Sequence, residues 1–255
     1  MILVIDVGNT HITLGLYEEG RLKEHWRLSS KIARTEDEFW IFIRTLCEGA
    51  QIDARAITGI ALGSVVPSDT TLVRRLVESR LPVHLVEVTS EIELGITICY
   101  ENPSAVGADR ICNAVAGFNK YGGPLVIVDF GTATTFDIIS DKAEYLGGII
   151  APGLESAVSS LHRFAAKLPE VDLRFPPSLV GTNTEMSMQA GLMYGGAEMV
   201  EGLIRRVKKE LSDKTRVIAT GGLASVLLPE LPSVESVEAR LTLDGLYQIY
   251  MLNQP

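Results

Sequence analysis

The 255-residue chain is 46% hydrophobic and 22% charged, which excludes a disordered or collagen-like polypeptide and leaves ample material for a core. Lys and Arg total 23 against 32 Asp and Glu, a formal net charge of −9 without any dense basic run, so the electrostatic footprint of a DNA- or RNA-binding protein is missing. An anionic ligand would have to be held by local donors, against the field of the whole molecule.

Ile2 to Ile5 reads as a buried strand ending at Asp6, with neither a basic leader nor a small-residue cleavage site, so no signal peptide is expected. Asp6, Asp129 and Asp137 interrupt the most apolar segments, and no membrane-spanning helix is predicted. After the turn Asp6-Val7-Gly8-Asn9-Thr10, alternation at Ile12, Leu14 and Leu16 predicts a returning strand and hence a hairpin. Thr35 to Gly49 predicts a helix: Phe39, Phe42, Ile43 and Leu46 form its apolar stripe, and Thr35-x-x-Glu38 is a capping box. Strands at Ile57 to Leu62 and Val83 to Val88 flank a helix from about Ser68, and a further helix from about Ser104 carries Ile111, Ala114, Val115 and Phe118.

Tyr121-Gly122-Gly123-Pro124 punctuates the chain and divides it into residues 1–120 and 121–255. The second part opens as the first does: an apolar run from Leu125 to Val128, then Asp129-Phe130-Gly131-Thr132-Ala133-Thr134-Thr135, then Phe136, Ile138 and Ile139. Helices are expected near Pro152 and from Thr184 to Leu211, the latter with Val200, Leu203, Ile204 and Val207 on its stripe. Val217 to Thr220 reads as a strand entering Gly221-Gly222. Leu168 to Val180, with three prolines and no periodicity, reads as a loop. The repetition predicts two similar mixed α/β halves, each led by an Asp-x-Gly hairpin, facing each other across a cleft.

A carboxylate at a strand end, followed by Gly and by small hydroxyl or amide residues, suits phosphate: backbone N–H groups approach closely, hydroxyls add donors, and the carboxylate can hold a bridging cation. A turn using Asp and Gly for geometry alone explains one copy, but two in matching contexts point to chemistry. There is neither a P-loop nor a GxGxxG, and Asp129-Phe130-Gly131 lacks every other protein-kinase signature. Cys47, Cys99 and Cys112 are odd in number and form no CxxC, which suits a reducing cytoplasm. His11, His25, His84 and His162 show no ligand spacing, so no transition metal is expected. His11, Cys99 and Cys112 lie near the motifs but receive no catalytic role.

The two hairpin motifs, with Gly107-Ala108-Asp109-Arg110 and Gly147-Gly148-Ile149-Ile150-Ala151-Pro152-Gly153, closely resemble the type III pantothenate kinases in order and spacing. The resemblance runs on through Gly181-Thr182-Asn183-Thr184 to Gly221-Gly222 and so covers essentially the whole chain. It implies a duplicated actin-like, sugar-kinase-like (ribonuclease H-like) α/β fold in a cytoplasmic homodimer. It also implies transfer of the γ-phosphoryl of ATP to pantothenate, the first step of coenzyme A synthesis, with Mg²⁺ and a monovalent cation such as K⁺ or NH₄⁺.

By the same resemblance Asp6, Val7, Gly8, Asn9, Thr10, His11, Ile12 and Thr13 would wrap the ATP phosphates, Thr132 would contact them, and Asp129 would hold the monovalent ion. No lysine lies in Asp6 to Thr13, so modest ATP affinity is expected. Asp109 would be the catalytic base; its structural alternative is complementing a helix dipole, worth ~0.3–1 kcal/mol. Arg110 would grip the acceptor's carboxylate, the alternative being a surface ion pair. Gly107 and Ala108 would line the substrate, Tyr100 would wall it or merely pack, and Thr184 would reach it from the partner subunit or simply cap the following helix. Two other functions keep the fold: a kinase for another small hydroxy acid or sugar, and a nucleotide-binding regulatory protein without turnover.

Overall fold

Aliphatic on both faces, Ile2-Leu3-Val4-Ile5 becomes the centre of a sheet: in β1 (Ile2–Val7) Leu3, Val4, Ile5 and Val7 are fully buried. The computed structural model describes residues 1–165 and 167–255, which divide into two units, 1–119 with 240–255, and 120–239.

In the first unit β1 is followed by β2 (His11–Glu18), β3 (Arg21–Ser29), helix α1 (Glu36–Gly49), β4 (Gly59–Ser64), helix α2 (Pro67–Ser79), β5 (His84–Glu87), the short β6 (Thr97–Ile98) and helix α3 (Ala108–Tyr121). The sheet order is β3-β2-β1-β4-β5; the first three strands form an antiparallel meander, and β4 and β5 run parallel to β1. The capping box forms as expected, with Thr35 N–H donating to Glu38 Oε2 at 2.8 Å and Glu38 N–H to Thr35 Oγ1 at 3.3 Å. The stripe of α1 differs in one member. Phe39, Ile43 and Cys47 are buried one helical turn apart, while Phe42 is 42% exposed beneath the guanidinium of Arg34. Ser104 lies in a single 3₁₀ turn (Pro103–Ala105), so α3 begins at Ala108, four residues later than periodicity alone placed it.

The second unit contains β7 (Leu125–Phe130), β8 (Ala133–Ile139), β9 (Glu144–Pro152), helices α4 (Leu154–Phe164) and α5 (Thr184–Leu211), β10 (Arg216–Thr220), the one-turn α6 (Ala224–Leu227) and β11 (Ser236–Val237). Its strands follow the order β9-β8-β7-β10-β11, again an antiparallel meander continued by parallel strands. The two sheets thus share one connectivity, as the repeated motif predicts. On α5, Val200, Ile204 and Val207 are buried and Leu203 is half-buried against the same core. Leu168 to Val180 has no regular element, and Val171 packs on Met188 and Leu192 of α5.

The chain closes with helix α7 (Leu241–Leu252), which the sequence reading did not contain. Its Leu241, Leu243, Leu246, Ile249 and Tyr250 are buried, and it packs on β1, β2 and β4, so residues 240–255 group with residues 1–119. Grouping by packing therefore differs from the division by motif, 1–120 and 121–255, because a hairpin signature does not say which sheet a later helix will cover. Among the described residues, no helix is long and apolar enough to cross a membrane.

Candidate active site

Val7 is the last residue of β1 to pair with β2, opposite Ile12, and Gly8 N–H then donates to the His11 carbonyl at 2.9 Å, leaving Asn9 and Thr10 as a two-residue tip. The end of β3 buttresses this tip: Ser30 Oγ donates to the Gly8 carbonyl at 2.7 Å, and Ser30 N–H to the Thr10 carbonyl at 3.0 Å. Within Asp6 to Thr13, then, roles differ. The Val7 and Ile12 side chains are core and can offer only backbone, the Gly8 N–H is used inside the hairpin, and Asn9 and His11 face solvent. Asp6, at the strand end, is half-buried.

The second hairpin closes more tightly, with Gly131 N–H donating to the Ala133 carbonyl at 3.1 Å and Thr132 exposed at the tip. Ser156 of α4 steadies it by donating to the Thr132 carbonyl at 2.7 Å. Asp129 pairs in register with Thr220 of β10, whose next residue, Gly221, has φ +94°. A Cβ on Gly221 would stand 2.5 Å from Asp129 Oδ1, so this position needs glycine both for its backbone and for the space the carboxylate occupies.

Opposite Asp6 in the β1–β4 register stands Gly63. A Cβ there would lie 3.6 Å from Ala108 Cβ and 3.8 Å from Cys112 Sγ, ordinary contact distances that place the first turn of α3 against β4 beside the end of β1. Asp6 and Asp109 are thereby brought to one place. Their charges both reach the Cys112 thiol, which burial first, and then Asp6 and Asp109, hold well above the ordinary thiol range; the thiol stays protonated. Asp109 lies in the first turn of α3, its Oδ1 accepting the Arg110 N–H at 2.9 Å, and a Cβ on Gly107 would sit 2.5 Å from that oxygen.

Arg110 is 9% exposed, which overturns the surface ion pair as its alternative role. Ala108 is buried and Tyr100 is 38% exposed. The cap of α5 is Asn183, whose Oδ1 accepts the Met186 N–H at 2.8 Å, so Thr184 is the first helical residue rather than the cap. Thr184 is exposed and lines, with Leu161, Leu168, Asn183, Ser187 and Leu192, a cavity of about 690 Å³ within the second unit. Sequence reasoning missed Gly63, Ser30 and Ser156. Of these only Gly63 carried a signal, a glycine inside an apolar strand.

Among the described residues, no three or more His, Cys, Asp or Glu gather as a metal site. A single strand-end carboxylate such as Asp6 fits Mg²⁺ held through substrate phosphates, since that ion commonly takes one or two carboxylates and keeps its other positions for water and phosphate.

The chain matches the sequence profile of the type III pantothenate kinases over residues 2–206. It is 47% identical over 253 residues to the type III pantothenate kinase of Moorella thermoacetica, covering 99% of this chain and 100% of that one. Among solved structures, it is similar to a ROK family glucokinase from Streptomyces griseus in complex with glucose and AMPPNP, with TM-score 0.55, 13% identity and 99% and 100% of the two chains covered. It is also similar to the activator of 2-hydroxyisocaproyl-CoA dehydratase from Clostridium difficile with bound ADPNP, with TM-score 0.56, 11% identity and 99% and 96% covered. At those identities the two structures speak for the fold alone.

Proposed function

The chain belongs to the type III pantothenate kinase family, and on that premise we propose how its own residues divide the transfer of the γ-phosphoryl of ATP to the primary hydroxyl of pantothenate. The observation that carries the assignment is the meeting of the Asp6 strand end with the Asp109 turn at Gly63, which joins a phosphate-binding hairpin to a candidate base within one unit.

Asp109 accepts a hydrogen bond from the pantothenate hydroxyl and aims its oxygen at the γ-phosphorus. The new O–P bond forms as the bond to the β-phosphate breaks, ADP leaves with that electron pair, and the hydroxyl proton passes to Asp109 late, because the transition state is loose. Arg110 pairs with the pantothenate carboxylate, which places an anion in an acidic protein through a local cation. Gly107 and Ala108 line the acceptor with backbone, and Tyr100 closes one side.

The Asn9–Thr10 tip and its neighbours from Asp6 to Thr13 offer N–H and O–H groups to the ATP phosphates, and Thr132 offers its hydroxyl and N–H. Asp129 would hold a monovalent cation, K⁺ or NH₄⁺, which together with Mg²⁺ carried on the phosphates would neutralise phosphate charge. Thr184 completes the acceptor site of the other protomer in a homodimer, and the enzyme works in the cytoplasm.

The test is ADP release from MgATP, with pantothenate present or absent, in potassium and in sodium buffer. We expect release that requires pantothenate and is faster in potassium. Release indifferent to pantothenate would overturn the acceptor, equal rates in both salts would overturn the cation role of Asp129, and no release from folded protein would leave a nucleotide-binding regulator.

A further inference from the structure

Asp109 stands on the first turn of α3, and the residues one turn below it, Cys112 and Asn113, are the ones that α7 holds. Gly245 of α7 meets α3 backbone to backbone: a Cβ on Gly245 would fall 2.1 Å from the Cys112 carbonyl oxygen and 2.8 Å from its Cα. One turn earlier in α7, the half-buried Thr242 donates through Oγ1 to Asn113 Oδ1 at 2.8 Å, and Asn113 is 1% exposed, so the acceptor lies in the interior. One residue after Gly245, Leu246 reaches the same bare strand position that receives α3, since a Cβ on Gly63 would be 3.1 Å from Leu246 Cδ2.

We propose that α7 is the seat of the catalytic turn, with Thr242 and Gly245 as positioning residues that fix the height and rotation of α3 and so the aim of Asp109. The inference rests on the assignment of Asp109 as the base. Close contact without side chains makes Gly245 a hard stop, because neither helix backbone can yield as a flexible side chain would. The Thr242 hydrogen bond adds direction, since a buried amide oxygen is satisfied in one rotation of α3 and stripped of that donor in others. The contact between Asn119 Nδ2 and Gln248 Oε1, 2.7 Å long and exposed, ties the far end of the same helix pair and serves as the control.

The experiment measures kcat and KM for ATP and for pantothenate in Thr242→Val, Thr242→Ser, Gly245→Ala and Gln248→Ala, at a temperature well below each melting point. Small misplacements of a catalytic group cost up to about 100-fold, so we expect kcat to fall about 10-fold in Thr242→Val and up to about 100-fold in Gly245→Ala, with KM for ATP nearly unchanged. Thr242→Ser should restore most of the rate, and Gln248→Ala should keep it.

Thr242→Val is then combined with Asp109→Asn and the residual rate read in single turnovers with labelled ATP. If Thr242 acts through Asp109, its loss adds little there; an undiminished loss in the double variant overturns the proposal. So does wild-type kcat in Thr242→Val, which also decides the matter should Gly245→Ala fail to fold. Asp109→Asn retaining most of its turnover by itself would instead remove the base assignment, a separate failure read from the single variant.

Discussion

Asp109 owes its place to residues that have almost no side chain. Gly107 clears the volume its Oδ1 occupies, and the turn that carries it packs on β4 at Gly63, opposite Asp6. General acid–base groups contribute about 10²–10⁴-fold, so Asp109→Asn should fold, bind ATP as the wild type does and lose at least about two orders of magnitude in turnover. Calorimetric titration with ATP and a coupled ADP assay check this; a variant with most of its turnover would remove Asp109 as the base. At this scale the family resemblance singled out Gly107-Ala108-Asp109-Arg110, which the structure places at the start of α3. Burial was not legible in the sequence: Arg110 reads as a surface cation until α3 is seen to be enclosed on nearly every side, from Ala108 through Gly117.

Elements declared themselves when a local signal and a period agreed. Helix α1 has both, and its cap is testable alone: Thr35→Ala removes the side-chain half of the capping box and should cost about 1 kcal/mol, seen as a melting point lower by about 2–4 °C with kcat unchanged. An unchanged melting point would show that the first turn is held by Glu38 to Thr35 N–H alone. Three of the longer elements went unread for physical reasons. Strand β3 is largely exposed, with Leu22, Trp26, Leu28 and Ser29 turned partly inward, and the register shift at Leu16 and Tyr17 breaks its alternation against β2. Strand β9 contains Gly147-Gly148, which reads as a turn. Helix α7 is apolar on most sides and has no side-chain cap, so no stripe stands out from Leu-Thr-Leu-Asp-Gly-Leu-Tyr-Gln-Ile-Tyr-Met-Leu.

Over the whole molecule, one connectivity used twice gives two sheets whose central strands, β1 and β7, both end in a carboxylate and a glycine turn. That much follows from the repeated hairpin, since a strand, a tight turn and a returning strand leave few ways to continue a sheet. What the repeat does not encode is the destination of α7, because long-range packing depends on shape at positions such as Gly63 and Gly245 rather than on any local pattern.

Residues 120–239 form a unit from continuous chain, whereas the other unit is assembled from residues 1–119 and 240–255. On the ribosome these two cases are unequal. The continuous unit has all its strands as soon as β11 clears the exit tunnel, but the sheet built first must wait, one face only partly covered, until α7 has been made. Synthesis order therefore runs opposite to completion order, and the hairpin that emerges earliest is the part finished last. A chain stalled before Arg240 should show a protease-resistant second unit and a degradable first one, and its competence to transfer phosphate should appear only when the final helix arrives.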